Sequence, residues 1–597
     1  MWTRFTEREL LEGNMRIDKI HIKGFRNFDD IEISFQKKTL IIGANDVGKS
    51  NLLFALRLLF DKSISESDLE LTDSDYNAYT NADTIEITVT ICDVVEECLK
   101  SAFDGALKDG KIIIQYKNSK QTSYSMYWGY SEDTLSEIQT RQYIKRLNMQ
   151  YLDANRNLTS FMNRERTKML QISKDKRTED DIDFDNSLIN QIQTDLDGIN
   201  NKVSSLKYVS SSLESVNAEL SELSIHNDGQ EVKYVSGNSK ADGLLNNLVL
   251  SYSTESGPLS IGGDGRNNQI FIATWIAKQK SESNIDHVTF YAIEEPEAHL
   301  HPHQQRKLSE YIQNHLTEQI FITTHSPQII TRFNPSNIIR LFQKNKYTLA
   351  ACGGEKAYIT KVFNDFGYRL NTISAETFFA DGVFLVEGVS EVLFYTALSK
   401  TIGIDLDRLN ISILSVEGVG FKPYIAVCDS LQIPWVLRTD NDIFSKPTNK
   451  PTTGFYAGLS RAKGIIIDLN LDAPDTVAYW EKYSYLNEWP LDAGQSKDNI
   501  TFHDIFREKL KSLRIYLSDM DLETDIANTA LQPILCDYYS NTDVNRVIEA
   551  MKKKKAENML GFLKQNEGEL SVLISDKIVE PLTTLSSLVV ERMKQDV

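Results

Sequence analysis

The sequence has no apolar run approaching the roughly 18 residues that a membrane-spanning helix needs, and its opening, MWTRFTEREL, lacks the apolar core of a secretory leader. It also lacks paired cysteines. Cys92, Cys98, Cys352, Cys428 and Cys536 are scattered with no CxxC among them, which argues against a disulfide framework and a zinc ribbon. Positive charge is in deficit: 65 Lys+Arg against 84 Asp+Glu give a formal charge of -19, unlike a protein that coats nucleic acid through a broadly basic surface. The expectation is a soluble, cytoplasmic chain with reduced thiols and no membrane partner. Acid clusters that hold divalent cations would still allow work on phosphates, because the bound ion reverses the local field.

With 597 residues, about two to four domains are expected. Residues 1–14 precede a second methionine and form an extension, either an appended helix or an alternative start. From Met15, MRIDKIHIKGFRNFDDIEISF alternates as paired strands do, and TIEITVTI and KIIIQY continue the strand text. Residues 160–225 turn polar and helical, with Gly198 as their only glycine. They read as an inserted arm, equally a dimer-forming coil or a flexible spacer. HVTFYAI, QIFIT and NIIRLF then mark buried strands of an α/β sheet. From Phe378 a second alternation, FFADGVFLVEG, ISILSVEG and PWVLRTDND, has the rhythm of another parallel sheet, followed by a helical tail broken by the short strand Arg514–Leu517. The boundaries drawn are 1–14, 15–159, 160–235 for the arm, 236–350, a connector at 351–375, and 376–597.

Between a strand and the helical text NLLFALRLLF lies Gly43-Ala-Asn45-Asp-Val-Gly48-Lys49-Ser50-Asn51, which matches G-x-x-x-x-G-K-[ST] at every fixed position. Glycines let backbone amides turn toward the phosphates, Lys49 would neutralise their oxygens, Ser50 would face Mg²⁺, and the helix N-terminus adds partial positive charge. The apolar strand Val288–Ile293 ends in Glu294-Glu295, a pair that would hold the Mg²⁺ shell and position the attacking water of ATP. One strand later, His325 stands where it would touch a γ-phosphate. Alternating His299, His301 and His303 lack the companions of a zinc site.

Glu387 ends one apolar strand, with Glu391 one helical turn on. Asp440-Asn-Asp442 ends another strand about 50 residues later, beyond Gly418 and Gly420. Two-metal phosphodiester cleavage needs hard oxygen donors grouped in this way. Asp519, Asp521, Glu523 and Asp525 alternate downstream. They do not fit an EF-hand, since Thr524 stands at the sixth position and Ala530 at the twelfth; the alternative to metal binding is that they cap and solvate the next helix. The run Lys552–Lys555 is either a solvated helix face or a phosphate contact.

The nucleotide motifs together resemble ABC-type ATPases of the SMC and RecF kind, in which an inserted helical arm divides the site. That resemblance implies that Leu259–Arg266, with Ser260 and Gly263, is the signature segment that meets ATP on a second copy. It departs from LSGGQ, and Tyr151–Arg156 offers no glutamine where one is usual. The acids resemble the Toprim fold. The order of the two modules, with LVEGVSEVLF, LRTDNDIFSKP and IYLSDMDLETDI, resembles the overcoming-lysogenization-defect (OLD) nucleases, and within them the Gabija antiphage group. The resemblance implies an ATP-regulated DNA endonuclease using Mg²⁺ or Mn²⁺. It implies Glu387, Glu391, Asp440, Asp442, Asp519, Asp521 and Glu523 as metal ligands or supports and a late-helix lysine, aligned best with Lys555, near the scissile phosphate. It further implies a dimer or larger oligomer and a UvrD-like helicase partner. Two rival readings are a RecF-like repair ATPase with a non-catalytic docking domain and a nuclease acting on RNA or tRNA.

Overall fold

The structure, a computed structural model, describes residues 15–154, 167, 170–223, 232–234, 240–246, 248, 251–254, 257–260, 264–282, 287–352, 372–446 and 452–596. The expected extension at 1–14, Gly263 and nearly all of the connector at 351–375 lie outside them. By contacts the described chain divides into two units. The larger gathers residues up to Ala154, those between Ile285 and Glu297, and those from His301 onward; the smaller gathers those between Asn155 and Asn284 with Ala298–Leu300.

The larger unit opens with β1 (Arg16–Phe25) and β2 (Phe28–Ser34), the hairpin that the alternating text predicts, in which Ile17, Ile20 and Ile22 are fully buried. β3 (Lys38–Ile42) leads into α1 (Lys49–Phe60). β4 (Thr84–Cys92), β5 (Ile112–Ser119), β6 (Thr122–Gly129) and β7 (Ser136–Ile138) extend the first hairpin into an antiparallel sheet of order β2-β1-β4-β5-β6-β7. β8 (Leu147–Leu152) belongs to a different sheet.

In the smaller unit the polar text forms α2 (Glu179–Ser204), begun by a capping box between Thr178 and Asp181, and α3 (Lys207–Leu223). β9 (Ser251–Thr254) and β10 (Gly257–Ser260) pair antiparallel before α4 (Asp264–Glu282). The sequence reading ends the arm at residue 235, whereas the contacts keep the described residues through 282 with the helices. One cause is that the 241–246 helix docks on α2, where Gln193 Oε1 accepts the Ala241 amide at 3.0 Å.

β11 (Val288–Glu294), α5 (Pro302–His315), β12 (Ile320–Thr323), β13 (Ile338–Lys344) and β14 (Tyr347–Cys352) complete a sheet of order β14-β13-β3-β12-β11-β8, parallel apart from the β13–β14 hairpin. α1 is apolar on most of its surface because it is enclosed. It packs on β5 of the antiparallel sheet and on β8 and β12 of the other, sharing one core with Phe290 and Phe321.

The second alternation is a four-stranded parallel sheet. β15 (Gly382–Val386), α6 (Val389–Thr401), β16 (Ile411–Ser415) and β17 (Trp435–Thr439) come first. A small antiparallel sheet follows, made of β18 (Ile443–Lys446), β19 (Thr453–Tyr456) and β20 (Glu488–Pro490), with α7 (Ala457–Asp468) between the last two. α8 (Lys497–Lys511) precedes β21 (Ile515–Leu517), and the tail carries α9 (Leu522–Ala527), α10 (Val544–Lys553), α11 (Lys555–Asn566) and α12 (Glu580–Asp596). The order is β16-β15-β17-β21, so the isolated tail strand of the sequence reading is the fourth strand of the sheet. Among the described residues no helix is long and apolar enough to cross a membrane.

The two parallel sheets are joined at β13. Arg340, 3% exposed, donates to Ala380 O at 3.0 Å, Leu431 O at 3.5 Å and Asp381 Oδ1 at 3.1 Å, and burial holds its guanidinium down at about 10. Arg592 of α12 lies 4.6 Å over the Phe342 ring and donates to Gln432 O at 2.8 Å. Arg340→Met strands two buried carbonyls, so guanidinium-chloride unfolding of that variant is expected to show a loss of about 3 kcal/mol.

Candidate active site

Two separate sites form at strand ends. At the first, Gly48 caps α1 at φ 103, and a Cβ there would fall 2.1 Å from Asn27 Nδ2; on Gly43, at φ 154, it would fall 2.4 Å from Leu341 O. The loop therefore closes only with glycine at both positions. Lys49 folds over it, donating to Gly43 O at 3.0 Å and Ala44 O at 2.7 Å, and burial pulls its ammonium down to about 8 against the charges of Glu295 and Asp46. Asn45 and Ser50 are exposed on the loop, and Asn51 is held by Arg26 (2.7 Å) and Asn27 (2.7 Å).

β12 lies between β3 and β11, so the loop, the acids and the histidine meet at neighbouring strand ends. Glu294 is buried and bonded by the Tyr151 hydroxyl, the group that stands where the sequence offers no glutamine. Glu295 takes a left-handed conformation (φ 40) with Oε1 3.5 Å from His325 Nε2. Burial, and then the charge of Lys49, lower His325. Glu297, not singled out by sequence, orients this end: it accepts the Thr324 hydroxyl at 2.6 Å and the His325 amide at 2.8 Å, and burial raises its carboxyl. Of the expected signature segment, Ser260 ends β10 in the smaller unit. His301 caps α5 and His303 Nδ1 lies 2.8 Å from Arg306, and among the described residues no histidine cluster suited to a metal forms.

At the second site Glu387, just past β15, reaches across to the end of β17. Its Oε1 accepts the Asp440 amide at 2.9 Å, Arg461 Nη1 at 2.6 Å and the Thr439 hydroxyl. Asp440, 5% exposed, accepts the Ser518 hydroxyl at 3.2 Å on Oδ1, while its Oδ2 lies 3.7 Å from Lys555 Nζ. Lys555 in turn stands 3.1 Å from Glu523 Oε2, and Glu523 Oε1 accepts Ser390 Oγ at 3.3 Å. Of the lysine run, Lys552 pairs with Asp521 at 2.5 Å and Lys554 with Glu557 at 2.9 Å, while Lys555 stands at the acidic centre.

The electrostatics follow from crowding. Burial and then the charges of Glu387 and Glu391 push Asp440 up to about 7, partly opposed by Arg438 and Lys555. Burial raises Glu391 and Asp442, reinforced by Glu523 for the former and by Glu387 and Asp521 for the latter. Although burial opposes it, the charges of Glu523 and Asp440 hold Lys555 above its ordinary value. Among the described residues no three of these groups already stand in coordination geometry, and Arg461 and Lys555 supply counter-charge. The donor set nonetheless suits a hard divalent cation: carboxylates of Glu387, Glu391, Asp440, Asp442 and Glu523 outnumber the two cations beside them, and burial together with the charges of Glu387 and Glu391 raises Asp440.

Asp519 departs from the expected ligand set. Its side chain is 64% exposed and taken by Arg507, because its amide is turned inward to Asp525 Oδ1 at 2.9 Å. Asp521 divides its carboxylate between Lys552 and capping α9 through the Thr524 amide at 2.9 Å, and Asp525 pairs with buried Arg438 at 2.5 Å. Sequence reading missed Arg461. It lies within the helical text LSRAKG and gains its partners only because α7 packs on the Asp440–Asp442 loop, so closely that a Cβ on Gly458 would fall 2.6 Å from both Asn441 Oδ1 and Asp440 O.

The AAA ATPase domain family matches residues 15–330, and the TOPRIM domain of overcoming-lysogenization-defect-like proteins matches residues 378–442. Endonuclease GajA of Bacillus cereus is 25% identical over 576 residues, 92% of this chain and 94% of that protein. The OLD nuclease of Thermus scotoductus is 29% identical over 217 residues, 34% of this chain and 39% of that one. The SMC head domain from Thermotoga maritima, a solved structure, covers 56% of this chain and 98% of its own at 14% identity, with a TM-score of 0.30. The chain belongs to the overcoming-lysogenization-defect family, as a Gabija-type nuclease that joins an AAA ATPase domain to a TOPRIM domain.

Proposed function

We propose that this nuclease nicks or cuts DNA with Mg²⁺ or Mn²⁺, that ATP at the P-loop controls the cut, and that it serves as a cytoplasmic antiphage effector. The observation that carries the reading is the convergence of Glu387, Glu391, Asp440, Asp442 and Glu523 with Lys555 at the ends of parallel strands, apart from the P-loop. A divalent ion bound there supplies an activated water and charge stabilisation for the phosphodiester. Glu387, Asp440 and Asp442 would hold it, with Glu391 and Glu523 in support. Ser518 and Arg461 keep Asp440 and Glu387 oriented, and Lys555, held charged, would hydrogen-bond an oxygen of the scissile phosphate.

At the other site Gly43, Gly48 and Lys49 would cradle the phosphates of ATP and Ser50 would face its Mg²⁺. Glu294 would support the ion, Glu295 would orient water, and His325 would read the γ-phosphate. Asn45 and Asn51 would flank the nucleotide. Ser260 and Gly263 would complete the site on a second copy, which makes the assembly at least a dimer; a UvrD-like helicase is the expected partner. Control by ATP is supported by β13, which pairs with the P-loop strand β3 and carries Arg340 into the TOPRIM side.

Glu387→Gln and Asp440→Asn are each expected to lower plasmid cleavage in Mg²⁺ or Mn²⁺ by at least about a hundredfold with melting behaviour retained. Full cleavage by either purified variant would falsify the metal assignment. Lys49→Ala is expected to cleave at one rate with and without ATP; a retained nucleotide response in the same gel removes the regulatory claim. Only ionised Asp440 coordinates a cation, so ion affinity rises with pH through about 7. In the ion-free protein the raised value contributes stability that is present at acid pH and lost above about 7. The Tm gain on adding Mg²⁺ is therefore expected to be larger at pH 8 than at pH 6, and Asp440→Asn is expected to erase that difference.

A further inference from the structure

The strands that leave the acidic centre carry side chains that neither site uses. β18 begins one residue after Asp442. β19 returns at Tyr456, and the next amide, Ala457 N, donates to Asp442 O at 2.9 Å, so both ends of the hairpin are fixed to the loop that carries Asp440 and Asp442. One face of the hairpin is packed: the Tyr456 ring stacks on His503 at 4.3 Å and lies 4.9 Å from Trp489, and His503 Nε2 in turn lies 2.8 Å from Asn441 Nδ2. Side chains alternate along a strand, so Phe444 and its cross-strand partner Phe455 point to the other face. Their rings meet edge to face at 6.2 Å. Lys446, on that same face, lies 5.2 Å over the Phe455 ring and pairs with Glu488. Phe444 is 52% exposed, beside a site built for phosphates.

The spacing selects the occupant. Phe444 stands two residues beyond Asp442, with Ile443 between them, about 7 Å along extended backbone, which is about two base steps along a B-form strand. With a phosphate held by the acidic centre, a base about two steps along the strand comes within reach of the Phe444 ring, and the Lys446 ammonium faces the backbone beyond it. In paired duplex that base is already stacked and its face covered. An unpaired base has a free face, and aromatic side chains bind such faces with little regard to sequence.

We infer that the β18–β19 hairpin is a base-stacking platform: Phe444 takes the face of an unpaired nucleobase about two steps from the scissile phosphate, with Lys446 on the backbone phosphate beyond it, so that the enzyme favours strands that are locally open. The inference rests on the DNA-cleaving reading of the neighbouring acids. The full-length protein is tested on a labelled duplex and on the same duplex carrying a short bubble with 2-aminopurine at its edge. Wild type is expected to prefer the bubble and to quench the fluorophore on binding. Phe444→Ala is expected to raise KM on the bubble by about tenfold at unchanged kcat, to cut duplex as before, and to lose the quench, with Phe444→Trp restoring both. Glu387→Gln, run beside it, is expected to bind and quench without cutting. Unchanged KM and quench in Phe444→Ala while Glu387→Gln is silent overturns the platform alone, whereas cleavage surviving Glu387→Gln overturns the reading beneath it. A loss of kcat on both substrates makes Phe444 structural, and a changed oligomeric state gives the face to a second copy; either result also overturns the platform.

Discussion

Carboxylates buried side by side repel one another and lose water at the same time, and the end of the TOPRIM sheet brings both penalties to Glu391, Asp440 and Glu523, with the half-buried Glu387 beside them. What surrounds them compensates. Arg461 is delivered by α7, Lys555 by the first turn of α11, Ser518 by the residue after β21, and Ser390 by α6. The small sheet inserted after β17 and the helical tail thus serve a common end, since each brings a donor or a cation to acids that the parallel sheet alone would leave facing one another.

The same accounting orders the pairs just behind the centre. Arg438 sits on β17 beside Thr439, whose hydroxyl bonds Glu387, and pairs with Asp525, while its guanidinium lies 5.7 Å from the Tyr395 ring. A buried pair of this kind is weak evidence for net stability but strongly resists loss of one partner. It holds the 518–525 turn against the sheet, and that turn decides which acids look inward (Glu523) and which look out (Asp519). At the nucleotide end the constraint is steric: Asn27 and Leu341 crowd the loop so tightly that only glycine fits at 48 and 43. Because Leu341 belongs to β13, the strand that crowds the phosphate loop is also the strand that carries Arg340.

Much of this architecture is legible in the sequence. The alternation of β1 and β2, the enclosed apolarity of α1 and the runs of β11, β12 and β13 are local patterns, and periodicity reads them directly. Glu387 and Asp440 were legible because an acid that closes an apolar strand stands at a predictable end of a parallel sheet. Arg461 was not, since an arginine in a helical stretch has no distinctive spacing. Nor was Glu297 distinguishable from Glu294 and Glu295, because three acids in one turn differ only in which neighbours they meet: Thr324 and the His325 amide, the Tyr151 hydroxyl, or the His325 ring.

The order of the two modules, the P-loop and the strand-end acids follow from sequence alone, because those depend on contacts within a few residues or on a period of two or 3.6. Tertiary structure alone decided that β21 closes the TOPRIM sheet, that Lys555 rather than its neighbours enters the centre, that Asp519 leaves it, and that β13 joins the ATPase sheet to TOPRIM. Each of these is set by packing between segments far apart in the chain, where one residue of register turns a side chain from the interior to solvent and no local pattern records the choice.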